Sequence, residues 1–117
     1  ESIRRVHLDF QDKVFQSVLD QVREGSSSLD ALANRLAMHR RTLNRRLELC
    51  GTSFRALKSQ ARREIACEQL RDTGNSVESV ASELGYTSAS AFTRAFVKWE
   101  GLPPAAWRRK AALPAKT

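Results

Sequence analysis

The sequence predicts an all-α fold of about seven helices, in which two pairs of short helices are joined by one long helix. Two observations support this fold class. Apolar residues recur at helical spacing through most of the chain, and the segment at residues 28–47 is repeated at residues 76–96.

The first predicted helix covers residues 10–23. Gly25 and three serines end this helix. Its apolar side chains form one wide stripe: Val14, Phe15, Val18, Leu19 and Val22. We expect this helix to pack within a first lobe, residues 13–52, and residues 1–12 to be the end of an interdomain linker.

The repeat starts at Ser28 and again at Ser76, where each hydroxyl is placed to cap a short helix. The apolar stripes of these two helices match at an offset of 48 residues: Leu29, Leu32, Ala33 and Leu36, then Val77, Val80, Ala81 and Leu84. Gly85 suits the left-handed turn that follows, and Ala37 at the matching position gives a weaker turn signal.

A second helix follows in each copy, with its anchors four residues apart: Leu43 and Leu47, then Phe92 and Phe96. The offset is now 49 residues, so the second copy has one more residue in its turn. Ser88 is placed to cap this second helix. Two helix-turn-helix units are therefore predicted, and in such units the second helix enters the major groove of DNA.

A long linker helix is predicted at residues 53–71, which contain neither glycine nor proline. It would span about 27 to 30 Å at 1.5 Å per residue. Successive major grooves on one face of B-DNA lie about 34 Å apart, so one monomer would reach two half-sites. Residues 53–73 thus separate the first lobe from a second, residues 74–112.

The second lobe is predicted to end in a short helix that starts at Pro103 and Pro104. Trp107 in this helix is expected to be a core residue or a lid over the core, and residues 113–117 are expected to be a frayed tail.

The net charge of +7 is unevenly distributed. Residues 38–63 carry a net charge of +7 and residues 88–117 carry +5, whereas residues 64–87 between them carry −4. The basic excess therefore falls on both second helices and the start of the linker helix, which indicates an anionic partner.

Composition excludes other classes of protein. The chain is 41% hydrophobic and 28% charged, with no apolar run near the roughly 18 residues of a membrane span and no signal-peptide pattern. A cytoplasmic location is expected, with no membrane partner. Cys50, Cys67, His7 and His39 lack metal-ligand spacing, so no metal and no cofactor are expected, and Cys67 is interpreted as a small buried residue. Because the chain opens on Glu1 and not on methionine, it is expected to be a piece of a longer protein, whose N-terminal domain is missing from this sequence.

Base reading requires donors and acceptors on the outer face of each second helix. The first unit offers Arg40, Arg41, Asn44 and Arg45, and the second offers Ser88, Ala89, Ser90, Thr93 and Arg94. Each arginine of the first unit has the alternative of contacting phosphate, and Arg94 has the alternative of anchoring the fold. Long donors are fewer in the second unit, which predicts that it contributes mostly phosphate and shape contacts.

Further phosphate contacts are predicted for caps and basic residues outside those faces: Ser28, Arg46, Lys58, Arg62, Arg63, Ser76, Lys98, Arg108 and Arg109. Arg46 has the alternative of pointing to the linker helix or the backbone. Each of the basic residues alone has the alternative of being a solvated charge.

Several of these segments together resemble the AraC/XylS family of bacterial regulators, over residues 14–109. The matching runs are TLNRRL at 42–47, GTSF at 51–54, VASELGY at 80–86, SAFTRAF at 90–96, GLPP at 101–104 and WR at 107–108. Trp107 stands where tyrosine or phenylalanine is usual, and residues 43–51 are one residue shorter than in many members.

The resemblance implies two helix-turn-helix lobes that bind promoter DNA and usually activate transcription by contacting RNA polymerase. It also implies that the longer protein has an N-terminal effector or dimerisation domain, which this sequence does not include. Enzymatic activity is not expected, because the histidines lack partners and no phosphate-binding loop is present. A helical protein-interaction module remains the alternative, and RNA binding is less favoured because the aromatic residues are not arranged for stacking.

Overall fold

The computed structural model describes residues 2–112, with side chains described from residue 9 onward; the predicted tail at residues 113–117 lies outside them. Residues 2–112 form seven helices and no strand, so the predicted all-α class is confirmed. The helices are α1 (Ser2–Arg23), α2 (Leu29–Arg35), α3 (Arg40–Leu49), α4 (Phe54–Asp72), α5 (Val77–Glu83), α6 (Ala89–Glu100) and α7 (Pro104–Ala112). None of these described helices is both long and apolar enough to cross a membrane.

The chain divides into two compact units, Glu1–Arg62 and Arg63–Thr117, and each contains one copy of the repeat. The boundary falls within α4, the predicted linker helix, which is continuous over 19 residues. Its start is fixed by Ser53, whose hydroxyl accepts a hydrogen bond from the backbone N–H of Ala56 at 3.1 Å.

The core of the first unit is formed by one face of each of its helices. Val14 and Val18 of α1, Leu32 of α2 and Leu43 and Leu47 of α3 are all fully buried. α1 contacts α2, and α2 contacts α3. These are the apolar stripes that the sequence predicts, so the helical periodicity identifies the core.

α1 begins at Ser2, not near residue 10 as predicted. Residues 2–9 contain no glycine or proline, so nothing in their backbone interrupts the helix. The prediction placed a linker there because the apolar stripe is densest from Val14 onward. The backbone of residues 2–12 is part of one helix of 22 residues, and the assignment of residues 1–12 to the end of an interdomain linker stays a prediction.

The core of the second unit is aromatic. Phe92 and Phe96 are fully buried on α6, with ring centroids 5.7 Å apart. The half-buried Trp107 of α7 meets Phe96 edge-on at 5.7 Å, which confirms its predicted place as a lid on the core. α6 therefore has one completely buried side and is held between α5 and α7.

Three predicted caps are confirmed. The hydroxyls of Ser28, Ser76 and Ser88 accept hydrogen bonds from the backbone N–H three residues on, at 3.0 to 3.1 Å. The fourth short helix, α3, starts at His39 without a side-chain cap. The start of α3 is therefore less strongly specified by local sequence than those of α2, α5 and α6.

The turns inside the two helix-turn-helix units share one backbone geometry. Ala37 and Gly85 both have positive φ, 55° and 90°. The N–H that follows each of them bonds back to a carbonyl five residues earlier, Met38 to Ala33 and Tyr86 to Ala81. This pattern ends a helix through a left-handed residue. The extra residue of the second copy lies after this shared geometry and before Ser88, within the turn as predicted.

Candidate nucleic-acid interface

α3 separates a buried side from a polar, basic outer side. Leu43 and Leu47 are fully buried, whereas Arg41, Asn44 and Arg45 are exposed. With Arg40 and Glu48, the three exposed residues line a shallow concave surface, which we call the α3 outer surface. The structure thus brings together all four residues of the first unit that the sequence predicts as base readers.

The side chains of Arg41, Asn44 and Arg45 make no hydrogen bond or ion pair with other side chains in residues 9–112. Arg40 differs, because its guanidinium lies 3.5 Å from the carboxylate of Asp30 on α2. Both members of this pair are mostly exposed, so the interaction is weak and leaves Arg40 open to another anionic or acceptor partner. Three donor side chains of α3 are therefore available without breaking an internal contact.

Arg46 faces α1. Its guanidinium carbon lies 3.8 Å from the ring centroid of Phe10, a cation–π arrangement. The structure therefore places Arg46 against α1 and not against the linker helix, which was one of the alternatives for it, and a phosphate contact by Arg46 stays a prediction. A second contact is made by the residue that directly follows α1, since Arg35 of α2 donates to Glu24 at 3.0 Å. These contacts fix α1 against α2 and α3.

The outer side of α6 carries shorter side chains. Ser88, Ser90 and Arg94 are exposed, while Ala89 and Thr93 are half-buried. The Oγ of Ser88 already accepts the bond that caps α6, and its hydroxyl hydrogen remains able to donate. Arg94 makes no hydrogen bond or ion pair with a side chain in residues 9–112. One long donor and three hydroxyls, of which that of Thr93 is on a half-buried residue, thus form the polar part of this face.

Two predicted phosphate contacts lie side by side on α4. Lys58 and Arg62 are half-buried and one helical turn apart. Burial, and then the charge of Arg62, lower the pKa of Lys58 from its ordinary value of 10.5. Lys58 and Arg62 therefore repel each other, and an anion placed between them would relieve that repulsion.

Two other predicted phosphate contacts have partners inside the second unit. Arg63 of α4 donates to Glu100 at the end of α6, at 2.6 Å. Arg108 of α7 donates to the carbonyls of Leu70 at 2.9 Å and Thr73 at 3.4 Å. These arginines tie α6 and α7 to α4. The sequence could not reveal the partners, because the paired residues are 35 to 38 positions apart.

The remaining predicted phosphate contacts are exposed: Ser28, Ser76, Lys98 and Arg109. Ser28 and Ser76 use their hydroxyls as caps of α2 and α5. The structure also places Glu48 on the α3 outer surface, which sequence reasoning missed. Its position four residues after Asn44 was the available signal, since residues that far apart share one helix face.

Two helix-turn-helix units, each with a buried inner side and an exposed polar outer side on its second helix, define a DNA-binding domain. A family model described as a helix-turn-helix domain matches residues 32–110. An uncharacterized HTH-type transcriptional regulator of Mycobacterium tuberculosis is 47% identical over 79 residues, which are 68% of this chain and 23% of that protein. The HTH-type transcriptional regulator VirS of the same species is 37% identical over 84 residues, 72% of this chain and 25% of that protein.

Solved structures agree. The DNA-binding domain of AdpA, a global transcriptional factor in complex with a target DNA, is similar with a TM-score of 0.72 and 30% identity, over 90% of this chain and 96% of that one. A DNA-binding transcriptional dual regulator from Escherichia coli gives a TM-score of 0.78 and 25% identity, over 85% of this chain and 88% of that one. The chain belongs to the AraC-type family of helix-turn-helix DNA-binding domains. It spans about a quarter of the length of the curated relatives it matches.

Proposed function

We propose that this chain gives a bacterial transcription regulator its sequence-specific contact with promoter DNA, by inserting α3 and α6 into successive major grooves. The observation that carries the proposal is the α3 outer surface, where Arg41, Asn44 and Arg45 are exposed opposite the buried Leu43 and Leu47. Arginine suits the O6 and N7 atoms of guanine, and asparagine suits adenine.

The length of α4 supports the use of two grooves. Its 19 residues correspond to about 28 Å at 1.5 Å per residue. That length is close to the spacing of about 34 Å between major grooves on one face of B-DNA. One chain then reads two half-sites without a second copy.

The two units make different contacts with DNA. α3, with three long polar side chains that lack internal partners, supplies most base contacts. α6 offers Arg94 and short hydroxyl side chains, with Ala89 able to meet a thymine methyl group, and acts mainly through phosphate and shape. Lys58, Arg62, Lys98 and Arg109 add phosphate contacts. Arg63 and Arg108 act on binding indirectly, because each holds a helix of the second unit.

The relatives, of which this chain spans about a quarter, support a wider proposal. The chain acts within a longer cytoplasmic protein whose N-terminal domain responds to an effector or dimerises. That protein activates transcription by contacting RNA polymerase. The relatives are named as transcription regulators, which supports the proposal that the chain works by binding and not by catalysis.

Selection of binding sites from random duplex DNA, followed by mobility-shift titration, tests the proposal. We expect one recovered sequence with two half-sites about one helical turn apart. Affinity for it should fall by about three to five decades between 50 and 200 mM salt, as for about six to ten neutralised phosphates. A flat response to salt, or a failure to select any sequence, would overturn the proposal in favour of a protein-interaction module.

A further inference from the structure

Glu48 brings a negative charge to a surface otherwise built from donors. It lines the α3 outer surface with Arg40, Arg41, Asn44 and Arg45, and it is exposed. It lies one helical turn after Asn44, so both side chains project from the same side of α3. No other described residue of that surface is acidic.

None of the neighbouring arginines neutralises this carboxylate. Arg45 precedes it by three residues, a spacing that permits an ion pair on a helix, yet no arginine nitrogen in residues 9–112 lies within 4.0 Å of Glu48. Arg40 is instead near Asp30. Glu48 is therefore available as a hydrogen-bond acceptor.

A carboxylate has few favourable partners on duplex DNA. The phosphates repel it, and the acceptor atoms of guanine and thymine offer it no hydrogen. The exocyclic amino groups of cytosine and adenine both donate in the major groove, but the N7 acceptor beside the adenine amino group repels a carboxylate, so aspartate or glutamate pairs with cytosine. A carboxylate on a groove-facing helix thus favours one base and penalises DNA that lacks it.

We propose that Glu48 is a specificity-determining residue, whose carboxylate accepts a hydrogen bond from the amino group of a cytosine in the half-site read by α3. The inference rests on the proposed function, because it requires α3 to enter the major groove. Arg41, Asn44 and Arg45 then supply attraction to the DNA, and Glu48 fixes one further base pair.

The test is site selection with the unchanged chain and with Glu48→Ala and Glu48→Gln. The unchanged chain should require cytosine at one position of a half-site. Glu48→Ala should reduce that preference by about fivefold or more and bind unselected DNA more tightly. Glu48→Gln should move the preference at the same position towards adenine, since glutamine pairs with the N6 and N7 atoms of adenine.

Asp20→Asn is the matched control. Asp20 is an exposed acidic residue of α1 outside the α3 outer surface, so this change removes the same charge elsewhere on the first unit. It should leave the cytosine preference intact. Thermal melting by circular dichroism should show that all variants fold, as expected for exposed positions.

Two results would overturn the inference. One is an unchanged base preference in Glu48→Ala; the other is an equal loss of preference in Asp20→Asn, which would indicate an effect of net charge alone. If the unchanged chain selects no sequence, the proposed function itself fails. If it selects a sequence that Glu48→Ala reads identically, only the role of Glu48 fails.

Discussion

Ala37 and Gly85 occupy the same place in the two helix-turn-helix turns, and both adopt a left-handed backbone conformation, with φ of 55° and 90°. Glycine adopts this conformation without steric cost, whereas the Cβ of alanine approaches the following carbonyl oxygen. The first turn therefore carries a strain that the second avoids. The packing of α2 against α3 holds Ala37 in this conformation.

This difference predicts opposite effects of exchanging the two residues. Ala37→Gly should raise the free energy of unfolding by about 1 kcal/mol, and Gly85→Ala should lower it by about 1 to 2 kcal/mol. Urea denaturation followed by circular dichroism measures both. If Ala37→Gly lowers stability, the strain at Ala37 is not a significant cost.

Arg45 and Lys58 should affect DNA binding differently. Arg45→Ala removes a donor of the α3 outer surface, so it should relax the preference for one base pair and cost about 1 to 3 kcal/mol on the selected site. Lys58→Ala removes a phosphate contact, so it should weaken all sequences alike and reduce the salt slope by about one. Titration of selected and scrambled duplexes at several salt concentrations separates the two. Identical behaviour of the variants would contradict this division of roles.

Arg108 and its neighbour Arg109 provide a matched pair for the second unit. Arg108→Ala removes the donors to the carbonyls of Leu70 and Thr73, and should lower the free energy of unfolding by about 1 to 3 kcal/mol. Arg109 is exposed, and Arg109→Ala should change stability by less than about 0.5 kcal/mol. Thermal and urea unfolding of both variants decide the matter. Equal losses in the two would show that Arg108 does not tie α7 to α4.

Cys67 should be an unreactive thiol. Burial, followed by the charge of Glu100 and a hydrogen bond to its carboxylate, raises the pKa of Cys67 from its ordinary 9.0 to about 11. Since the thiolate is the nucleophile, alkylation by iodoacetamide at pH 8 should be at least about tenfold slower than that of glutathione. Peptide mapping by mass spectrometry gives the rate at this residue. Glu100→Gln should accelerate the reaction, and a rate equal to that of glutathione would contradict the raised pKa.

The same shift predicts a direction for stability against pH. Folding raises the pKa of Cys67, so the folded state favours the protonated thiol. The resulting stabilisation is complete below about pH 9 and is lost as the pH rises through 11. Replacing Cys67 with alanine should therefore flatten the fall in stability over that interval.

Local sequence signals were sufficient for most of the fold. The caps at Ser28, Ser76 and Ser88 and the apolar stripes predict where helices start and which sides they bury, because both depend on residues within a turn or two. The turn at Ala37 was underestimated, since the tertiary structure holds alanine in a conformation that its own propensity disfavours.

The candidate site was predicted less completely, for two reasons. Arg63 and Arg108 find partners far away in sequence, and only the fold shows that these arginines are engaged. Cys67 was expected to be a small buried residue. It is half-buried, and its thiol donates to Glu100, a partner that is likewise distant in sequence. Glu48 was not predicted, because the net charge of +7 on residues 38–63 indicates basic contacts and does not reveal the role of a single carboxylate on the same helix face.

α3 keeps its structural and its exposed residues on separate sides. Leu43 and Leu47 hold the helix in place, and the side chains of Arg41, Asn44 and Arg45 contribute nothing to that packing. Substitutions on the exposed side are therefore expected to leave the scaffold unchanged. If the proposed function holds, duplicated genes built on this architecture would diverge to new operators by a few such substitutions, without passing through unfolded intermediates.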